Sequence, residues 1–192
     1  MTTATIFGKG NMGTAIMGIF EDADWQVQIL DSKTTPSTTI EGSIVILAVP
    51  YPALTAITGT FSDQFKGRIV VDITNPVDFN TMDSLLPAAD SSAAAELQTK
   101  LPDSQVLKAF NTMFAGNLSS KKVGPNQATV LIAGDSKDAK SELANVIKKA
   151  GLNAIDAGSL KRARELEAMG FLQLAMGVAG KLSFDGGFAI LQ

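Results

Sequence analysis

The sequence predicts an α/β protein built on a doubly wound, mostly parallel β-sheet with helices on both faces. Strand patterns and helix patterns alternate along all 192 residues, as they do in such folds. Several predicted strands are apolar almost throughout, which is typical of parallel strands buried on both faces. A glycine-rich turn joins the first strand to the first helix. With 45% hydrophobic and 18% charged residues, the composition is that of an ordinary globular domain.

The first half of the chain contains four predicted strands. Thr3–Phe7 is β-branched and aromatic, and the apolar residues that follow the glycine turn recur at helical spacing as far as Phe20. The other strands are 26–30, 43–49 and 68–73, and a helix is predicted around 52–65. Only residues 32–42 separate the second strand's Asp31 from the third strand, which is too short for a further strand with two crossovers. We therefore expect the first half to lack its edge strand and the helix of that strand.

The second half continues the alternation. A helix at 91–101 begins with hydroxyl residues that favour N-caps, and a strand follows at 105–109. A β-α-β unit spans 128–133, 137–150 and 152–156, with Gly151 as a helix stop. The segment 160–180 begins charged and then becomes apolar on all sides, so this helix must be buried. Its partner is either the core of this chain or a second copy in a homodimer.

Composition excludes several kinds of chemistry. The chain has no cysteine and no histidine, which removes disulfides, thiol nucleophiles and imidazole catalysis, and we expect no metal site. A net charge of −3 gives no basic surface for nucleic acid. No signal peptide is evident, and the longest apolar stretch is shorter than the roughly 20 residues of a membrane span. The sequence therefore predicts a cytoplasmic protein with neither nucleic acid nor membrane as a partner.

The glycine turn has the sequence Gly8-Lys9-Gly10-Asn11-Met12-Gly13. It fits the G-x-G-x-x-G pattern in its required context, directly after a strand and at the start of a helix. In that pattern the first glycine permits a tight turn, the second lets a pyrophosphate approach, and the third allows close packing of helix and strand. The alternative is a glycine turn with a structural role alone. We interpret residues 1–192 as one Rossmann-type dinucleotide-binding domain, with its core at 1–112 and a β-α-β unit plus apolar helix at 113–192.

Three later strand ends carry small, proline or amide residues. Ligands of doubly wound sheets bind at the carboxyl ends of strands, where such residues can approach a ribose or a nicotinamide ring. Each segment alone would be interpreted as a turn or cap, but recurrence at three successive strands favours a binding site. The segments are Ala48-Val49-Pro50-Tyr51, Thr74-Asn75-Pro76 and Phe110-Asn111-Thr112.

The chain also resembles a known family, the F420-dependent NADP oxidoreductases, whose pattern is shared by the NADPH-binding domain of STEAP-type metalloreductases. The resemblance rests on IFGKGNMGTAI, IVILAVP, IVVDITNP, SSAAAELQTKLPDSQVLKAFNT, VLIAGD, DAGSLKRARELEAMG and GGFAIL. It implies hydride transfer between NADP(H) and a deazaflavin or flavin as a small-molecule redox partner. By the same resemblance, the pyrophosphate would lie on Gly8, Gly10, Asn11, Met12 and Gly13, the cofactor would pass Ala48, Val49 and Pro50, and the nicotinamide pocket would be bordered by Asn75, Phe110, Asn111 and Thr112.

Two alternatives stay open. The stretch GKGNMGTAI is also similar to the opening of pyrroline-5-carboxylate reductases, an imine reductase type, although 192 residues leave too little chain for their long helical dimerisation domain. The second alternative is a non-catalytic dinucleotide-binding or redox-sensing module. Hydride transfer needs no acid–base side chain, because the cofactor supplies the chemistry, and we assign no catalytic residue.

The second strand ends on an acid followed by a hydroxyl and a cation. An acid at this place normally accepts a hydrogen bond from the ribose 2′-hydroxyl of NAD, and Asp31 fits that rule. Ser32 and Lys33 offer instead what a 2′-phosphate requires, and the related reductases have a Ser/Thr–Arg pair at this place. We therefore predict NADP(H) over NAD(H), with Asp31 turned away and Ser32 and Lys33 facing the phosphate.

Overall fold

The computed structural model describes residues 2–191 and shows helices alternating with strands along the chain. The elements are β1 (Thr3–Phe7), α1 (Asn11–Asp22), β2 (Gln26–Leu30), β3 (Ile44–Leu47), α2 (Ala53–Phe65), β4 (Ile69–Asp72), α3 (Ala93–Lys100), β5 (Gln105–Lys108), α4 (Ala115–Ser120), β6 (Lys122–Val123), β7 (Asn126–Gln127), β8 (Thr129–Gly134), α5 (Lys137–Lys149), β9 (Asn153–Gly158) and α6 (Ala163–Val178). A single 3-10 turn, Leu160–Arg162, precedes α6.

A seven-stranded sheet in the order β2-β1-β3-β4-β5-β8-β9 forms the centre of the fold. The first five strands run parallel, as the sequence predicts for a doubly wound α/β sheet. β2 lies at the edge, and the connection from β2 to β3 contains neither a strand nor a helix. The expected loss of the edge strand and its helix is therefore confirmed.

The register of the parallel strands brings their carboxyl ends to one edge of the sheet. Phe7 pairs with Leu30 on one side and with Leu47 on the other. Leu47 in turn pairs with Asp72, and Asp72 pairs with Lys108. Since the loops that follow these paired residues leave the sheet side by side, the predicted strand-end segments gather at one place.

Two apolar cores fill the faces of the sheet. One core packs α1 and α5 against the sheet and includes Ile6, Phe20 and Leu143. The other packs α2 and α3 against the opposite face and includes Phe7, Phe65 and Leu97. β1, β3 and β4 contribute apolar side chains to both cores, so these strands are buried on both faces, as their largely apolar sequences predict.

The structure departs from the sequence prediction after β5. β8 pairs with β5 antiparallel, and it is reached through α4 and the β6–β7 hairpin, which local patterns did not indicate. α6 is also shorter than the predicted 160–180 helix. Its buried face carries small and polar residues, including Glu167, Gly170 and Gln173, whereas Leu172 and Val178 are more than half exposed. Within residues 2–191, none of the helices combines the length and apolar character needed to cross a membrane.

Candidate functional site

The turn between β1 and α1 holds three backbone segments in direct contact. At Gly8, φ is +105°, and a Cβ atom would lie 2.1 Å from the Ala48 carbonyl oxygen. At Gly13, a Cβ atom would lie 2.0 Å from the Gly8 carbonyl oxygen. Only glycine fits at these two positions, so β3 and α1 close tightly on the turn. The contacts match the roles that the sequence motif predicts for the outer two glycines.

The middle glycine of the motif faces open space. Gly10 is the N-cap of α1, no side chain caps this helix end, and an added Cβ would meet no atom within 4 Å. The backbone N–H groups of the first helical turn lack partners inside the helix, and they lie at the positive end of the helix dipole. This helix start can therefore bind a phosphate group.

Two cavities open on either side of this turn. The inner cavity, about 570 Å³, extends from the start of α1 across the ends of β3, β4 and β5 to α6. The edge cavity, about 530 Å³, extends from β1 over the end of β2 to α2. Val49 and Pro50 line both cavities, which therefore meet at the end of β3. Together they form an extended trough along the carboxyl ends of the strands.

The structure places most of the predicted site residues in this trough. The inner cavity is lined by Gly10, Asn11, Met12, Gly13, Ala48, Val49, Pro50, Tyr51, Asn75 and Asn111. The edge cavity is lined by Gly8, Lys9, Asp31 and Ser32, besides Val49 and Pro50. Four predicted residues line neither cavity, namely Lys33, Pro76, Phe110 and Thr112. Phe110, implied by resemblance to border the nicotinamide pocket, is fully buried in the core with a φ of +63°.

The loop after β2 differs from the sequence prediction. Asp31 was expected to turn away from the cofactor, yet it lines the edge cavity and forms an ion pair with Lys9. Lys33 does not line that cavity, and its backbone N–H donates to Asp31 Oδ1 at 2.8 Å. The ammonium group of Lys9 holds the pKa of the Asp31 carboxyl below its ordinary value. The ammonium group of Lys9 and the carboxylate of Asp31 thus meet at the end of β2.

The side chain of Tyr51 lines the inner cavity, but its hydroxyl proton is donated to another residue of the protein. Its hydroxyl donates a hydrogen bond to Glu96 Oε2 at 2.5 Å, which directs the phenol towards α3. Burial, together with the nearby Glu96 carboxylate, raises the pKa of Tyr51 well above its ordinary value. Since the phenol stays protonated and its proton is already donated, Tyr51 is not suited to act as a general acid.

An asparagine pair joins the ends of β4 and β5 under the inner cavity. Asn75 Nδ2 donates to the Asn111 carbonyl oxygen, and Asn111 Nδ2 donates to Asn75 Oδ1, each at 2.8 Å. Asn111 Nδ2 also donates to the Leu166 carbonyl oxygen of α6 at 2.8 Å. At Gly170, a Cβ atom would lie 2.3 Å from Asn75 Oδ1, so only glycine lets α6 pack on the pair. The pair therefore fixes the floor of the cavity.

Two buried acceptors of the inner cavity have no protein partner. Thr74 Oγ1 and Asn111 Oδ1 make no hydrogen bond with any part of residues 2–191. Both residues line the cavity. A buried polar atom without a partner is costly, and in native proteins it often marks a place where a ligand or water binds. These atoms fit a ligand with an amide or hydroxyl donor, such as a nicotinamide carboxamide.

A buried ionic cluster lies beneath the asparagine pair. Lys108 Nζ contacts Asp72 Oδ2 and Glu167 Oε1, each at 2.8 Å, and all three side chains are at most 1% exposed. Glu167 Oε2 also accepts the Ala93 N–H at the start of α3 at 3.1 Å. Burial raises the pKa of Glu167 above its ordinary value. The cluster therefore ties β4, β5, α3 and α6 together behind the site.

Comparison with known proteins relates this geometry to a family. No family model matches the chain. The F420-dependent NADP reductase of Methanothermobacter marburgensis is 31% identical over 179 residues, which cover 89% of this chain and 77% of that protein.

The chain belongs to the F420-dependent NADP reductase family.

Two further proteins are similar to this chain. Rat metalloreductase STEAP3 is 34% identical over 112 residues, which cover 57% of this chain and 21% of that protein. The crystal structure of a protein from Arthrobacter sp. FB24, provisionally assigned as an F420-dependent NADP reductase, superimposes with a TM-score of 0.86 at 22% identity. It covers 98% of this chain and 99% of that one, and it supports the fold alone. The resemblances to F420-dependent NADP reductases and to STEAP-type metalloreductases are thereby confirmed.

Several residues that complete the trough were not predicted from the sequence. Phe79 comes from the loop after β4, Phe114 precedes α4, and Gln173 and Leu174 lie on α6. Phe184, beyond α6, contacts the ring of Phe114 with their centroids 5.0 Å apart. These residues are far apart along the chain and carry no shared motif, so only the tertiary fold brings them to the site. In this family member, three phenylalanines thus border the inner cavity.

Proposed function

We propose that this chain transfers a hydride between NADP(H) and a deazaflavin such as coenzyme F420. The observation that carries the proposal is the continuous trough, which passes from the end of β2 over the start of α1 to the floor of the inner cavity. Its length and its open helix start suit an extended dinucleotide. The aromatic side chains at the inner end provide apolar surface for a flat ring system.

Each part of the trough has a role in this proposal. The first turn of α1 binds the pyrophosphate, and Val49 and Pro50 separate the adenosine end from the nicotinamide end. Thr74 and Asn111 accept hydrogen bonds from the nicotinamide carboxamide, which satisfies their unpaired oxygens. The bound cofactor supplies the hydride chemistry. The protein aligns the two rings and excludes water with Met113, Phe114 and Phe184.

The proposal is tested by mixing the purified full chain with NADPH and one acceptor at a time. The acceptors are F420, FMN, FAD, a ferric chelate and a quinone, and the reaction is followed at the nicotinamide absorbance band. We expect oxidation of NADPH with F420 at a rate proportional to protein concentration. If NADPH binds but no acceptor oxidises it, the protein is instead a non-catalytic dinucleotide-binding or redox-sensing module.

A substitution at Gly10 should weaken cofactor binding while leaving the stability of the fold nearly unchanged. Gly10→Ala is expected to change the free energy of unfolding by no more than about 1 kcal/mol, because the new methyl group meets no protein atom. The same methyl group lies where a pyrophosphate approaches, so the affinity for NADPH should fall about tenfold or more. Urea unfolding measures the free energy of unfolding, and isothermal titration calorimetry measures the affinity for NADPH. Gly59→Ala, in the open surface of α2, is the matched control and should bind normally.

We also propose that α6 contributes to a homodimer interface. α6 buries only one face in its own chain, and Leu172 and Val178 on the remaining surface are 54% and 59% exposed. Exposed apolar side chains on one helix favour contact with a second copy, because burial in an interface removes them from water. Light scattering should give twice the mass of the 192-residue chain. A strictly monomeric mass across micromolar concentrations would contradict this proposal.

A further inference from the structure

The side chain of Lys9 lies beside the end of β2 because of the strand register. β1 and β2 pair in parallel with Phe7 opposite Leu30, and the Gly8 N–H donates to the Leu30 carbonyl oxygen at 2.8 Å. This backbone bond places the next residue, Lys9, opposite Asp31. The Lys9 ammonium forms an ion pair with Asp31 Oδ2. Both residues line the edge cavity.

The ion pair occupies the place where this fold class recognises the adenosine ribose. An acid at the end of the second strand ordinarily accepts a hydrogen bond from the ribose 2′-hydroxyl and repels a 2′-phosphate. Here both carboxylate oxygens of Asp31 already have partners, since Oδ2 contacts Lys9 and Oδ1 accepts the Lys33 N–H at 2.8 Å. The Lys9 charge also offsets the negative charge of Asp31. Lys9, a residue of the glycine turn, therefore weakens the preference for NAD that Asp31 would otherwise confer.

We infer that Lys9, rather than Lys33, is the specificity-determining cation for the 2′-phosphate of NADP(H). The inference rests on the proposed function, and it names the residue that sets cofactor choice. Lys9 neutralises Asp31 and donates to the phosphate, while Ser32, which lines the same cavity, supplies a hydroxyl. Lys33 contributes its backbone N–H to Asp31, and its side chain does not line the cavity.

The Lys9 side chain is exposed enough to reach a bound ligand. Its side chain is 66% exposed and Asp31 is 24% exposed, so the pair sits at the mouth of the cavity. An exposed ion pair contributes little to stability, which leaves the ammonium free to share its three donors between the carboxylate and a phosphate. Replacing Lys9 should therefore affect ligand choice without unfolding the protein.

The test compares two lysine variants with two pairs of ligands. Calorimetry on the full chain measures the affinities for NADPH and NADH, and for adenosine 2′,5′-bisphosphate and 5′-AMP. Lys9→Met should lower the affinities for NADPH and for the bisphosphate by about tenfold to a hundredfold, as expected for a lost charge-assisted hydrogen bond. The same variant should change the affinities for NADH and 5′-AMP by less than about threefold. Lys33→Met, the matched control, should change all four affinities by less than about threefold.

A second variant isolates the part played by Asp31. In Lys9→Met the carboxylate loses its cation and repels the phosphate, so Lys9→Met with Asp31→Asn should recover part of the lost NADPH affinity. Equal losses for NADPH and NADH in Lys9→Met would show that Lys9 contacts the pyrophosphate, and would overturn the inference. A larger loss of NADPH affinity in Lys33→Met would do the same. If the wild-type chain binds neither dinucleotide, the proposed function itself fails.

Discussion

Replacing Lys108 with Met is expected to lower the free energy of unfolding by about 3–5 kcal/mol, the usual cost of leaving a buried charge uncompensated. The Lys108 ammonium is fully buried between Asp72 and Glu167, which are also buried. Met fills a similar volume, but it leaves two carboxylates facing each other without a cation. Urea unfolding at neutral pH, followed by circular dichroism, measures the loss. A decrease below about 1 kcal/mol would mean that the cluster does not stabilise the fold.

Glu167→Gln is the matched variant for this cluster, because it keeps the side-chain shape and leaves Lys108 paired with Asp72. Glu167→Gln should lower the free energy of unfolding much less than Lys108→Met does. Burial raises the pKa of Glu167, so the folded protein binds this proton more tightly than the unfolded chain does. The contribution of Glu167 to the free energy of unfolding therefore falls as the pH rises from its ordinary pKa to the raised one. Glu167→Gln should remove that part of the pH dependence.

The second large effect is expected at Gly13, the last glycine of the motif, in the first turn of α1. Gly13→Ala would place a methyl carbon 2.0 Å from the Gly8 carbonyl oxygen, and backbone cannot move aside as a flexible side chain can. We expect the free energy of unfolding to fall by about 1–3 kcal/mol, as for other overpacked positions. We expect NADPH to raise the melting temperature of the wild-type chain, and the displaced turn in Gly13→Ala should abolish that rise.

Gly18→Ala provides the control, since Gly18 lies on the same helix and an added Cβ would meet no atom within 4 Å. It should raise the free energy of unfolding by about 0.5–1 kcal/mol, because alanine favours the helix. Its NADPH response should remain that of the wild type. Thermal unfolding with and without NADPH compares the two variants. If Gly13→Ala and Gly18→Ala had the same stability and the same response to NADPH, the contact between residue 13 and the Gly8 carbonyl oxygen would not constrain the turn.

The local patterns of the sequence predicted the strand and helix positions closely. β1 and β2 begin and end where expected, and most other elements agree to within one or two residues. These predictions succeed because periodicity, β-branched residues and helix caps act within a few residues of one another. The direction of β8 could not be predicted, because an apolar strand carries no local sign of which way it runs against β5. The β6–β7 hairpin and α4 are too short to give a clear pattern.

By itself, the sequence determined the fold class, the glycine turn and the strand ends that border the two cavities. Only the tertiary structure decided which side chains meet there. Lys9 looks like a variable position of its motif until the register of β1 and β2 places it against Asp31. Lys108 and Glu167 similarly read as ordinary charged residues until folding buries them together. Motifs and periodicities are local, whereas charge pairing and cavity shape depend on residues distant in the chain, and these contacts exist only once the sheet is assembled.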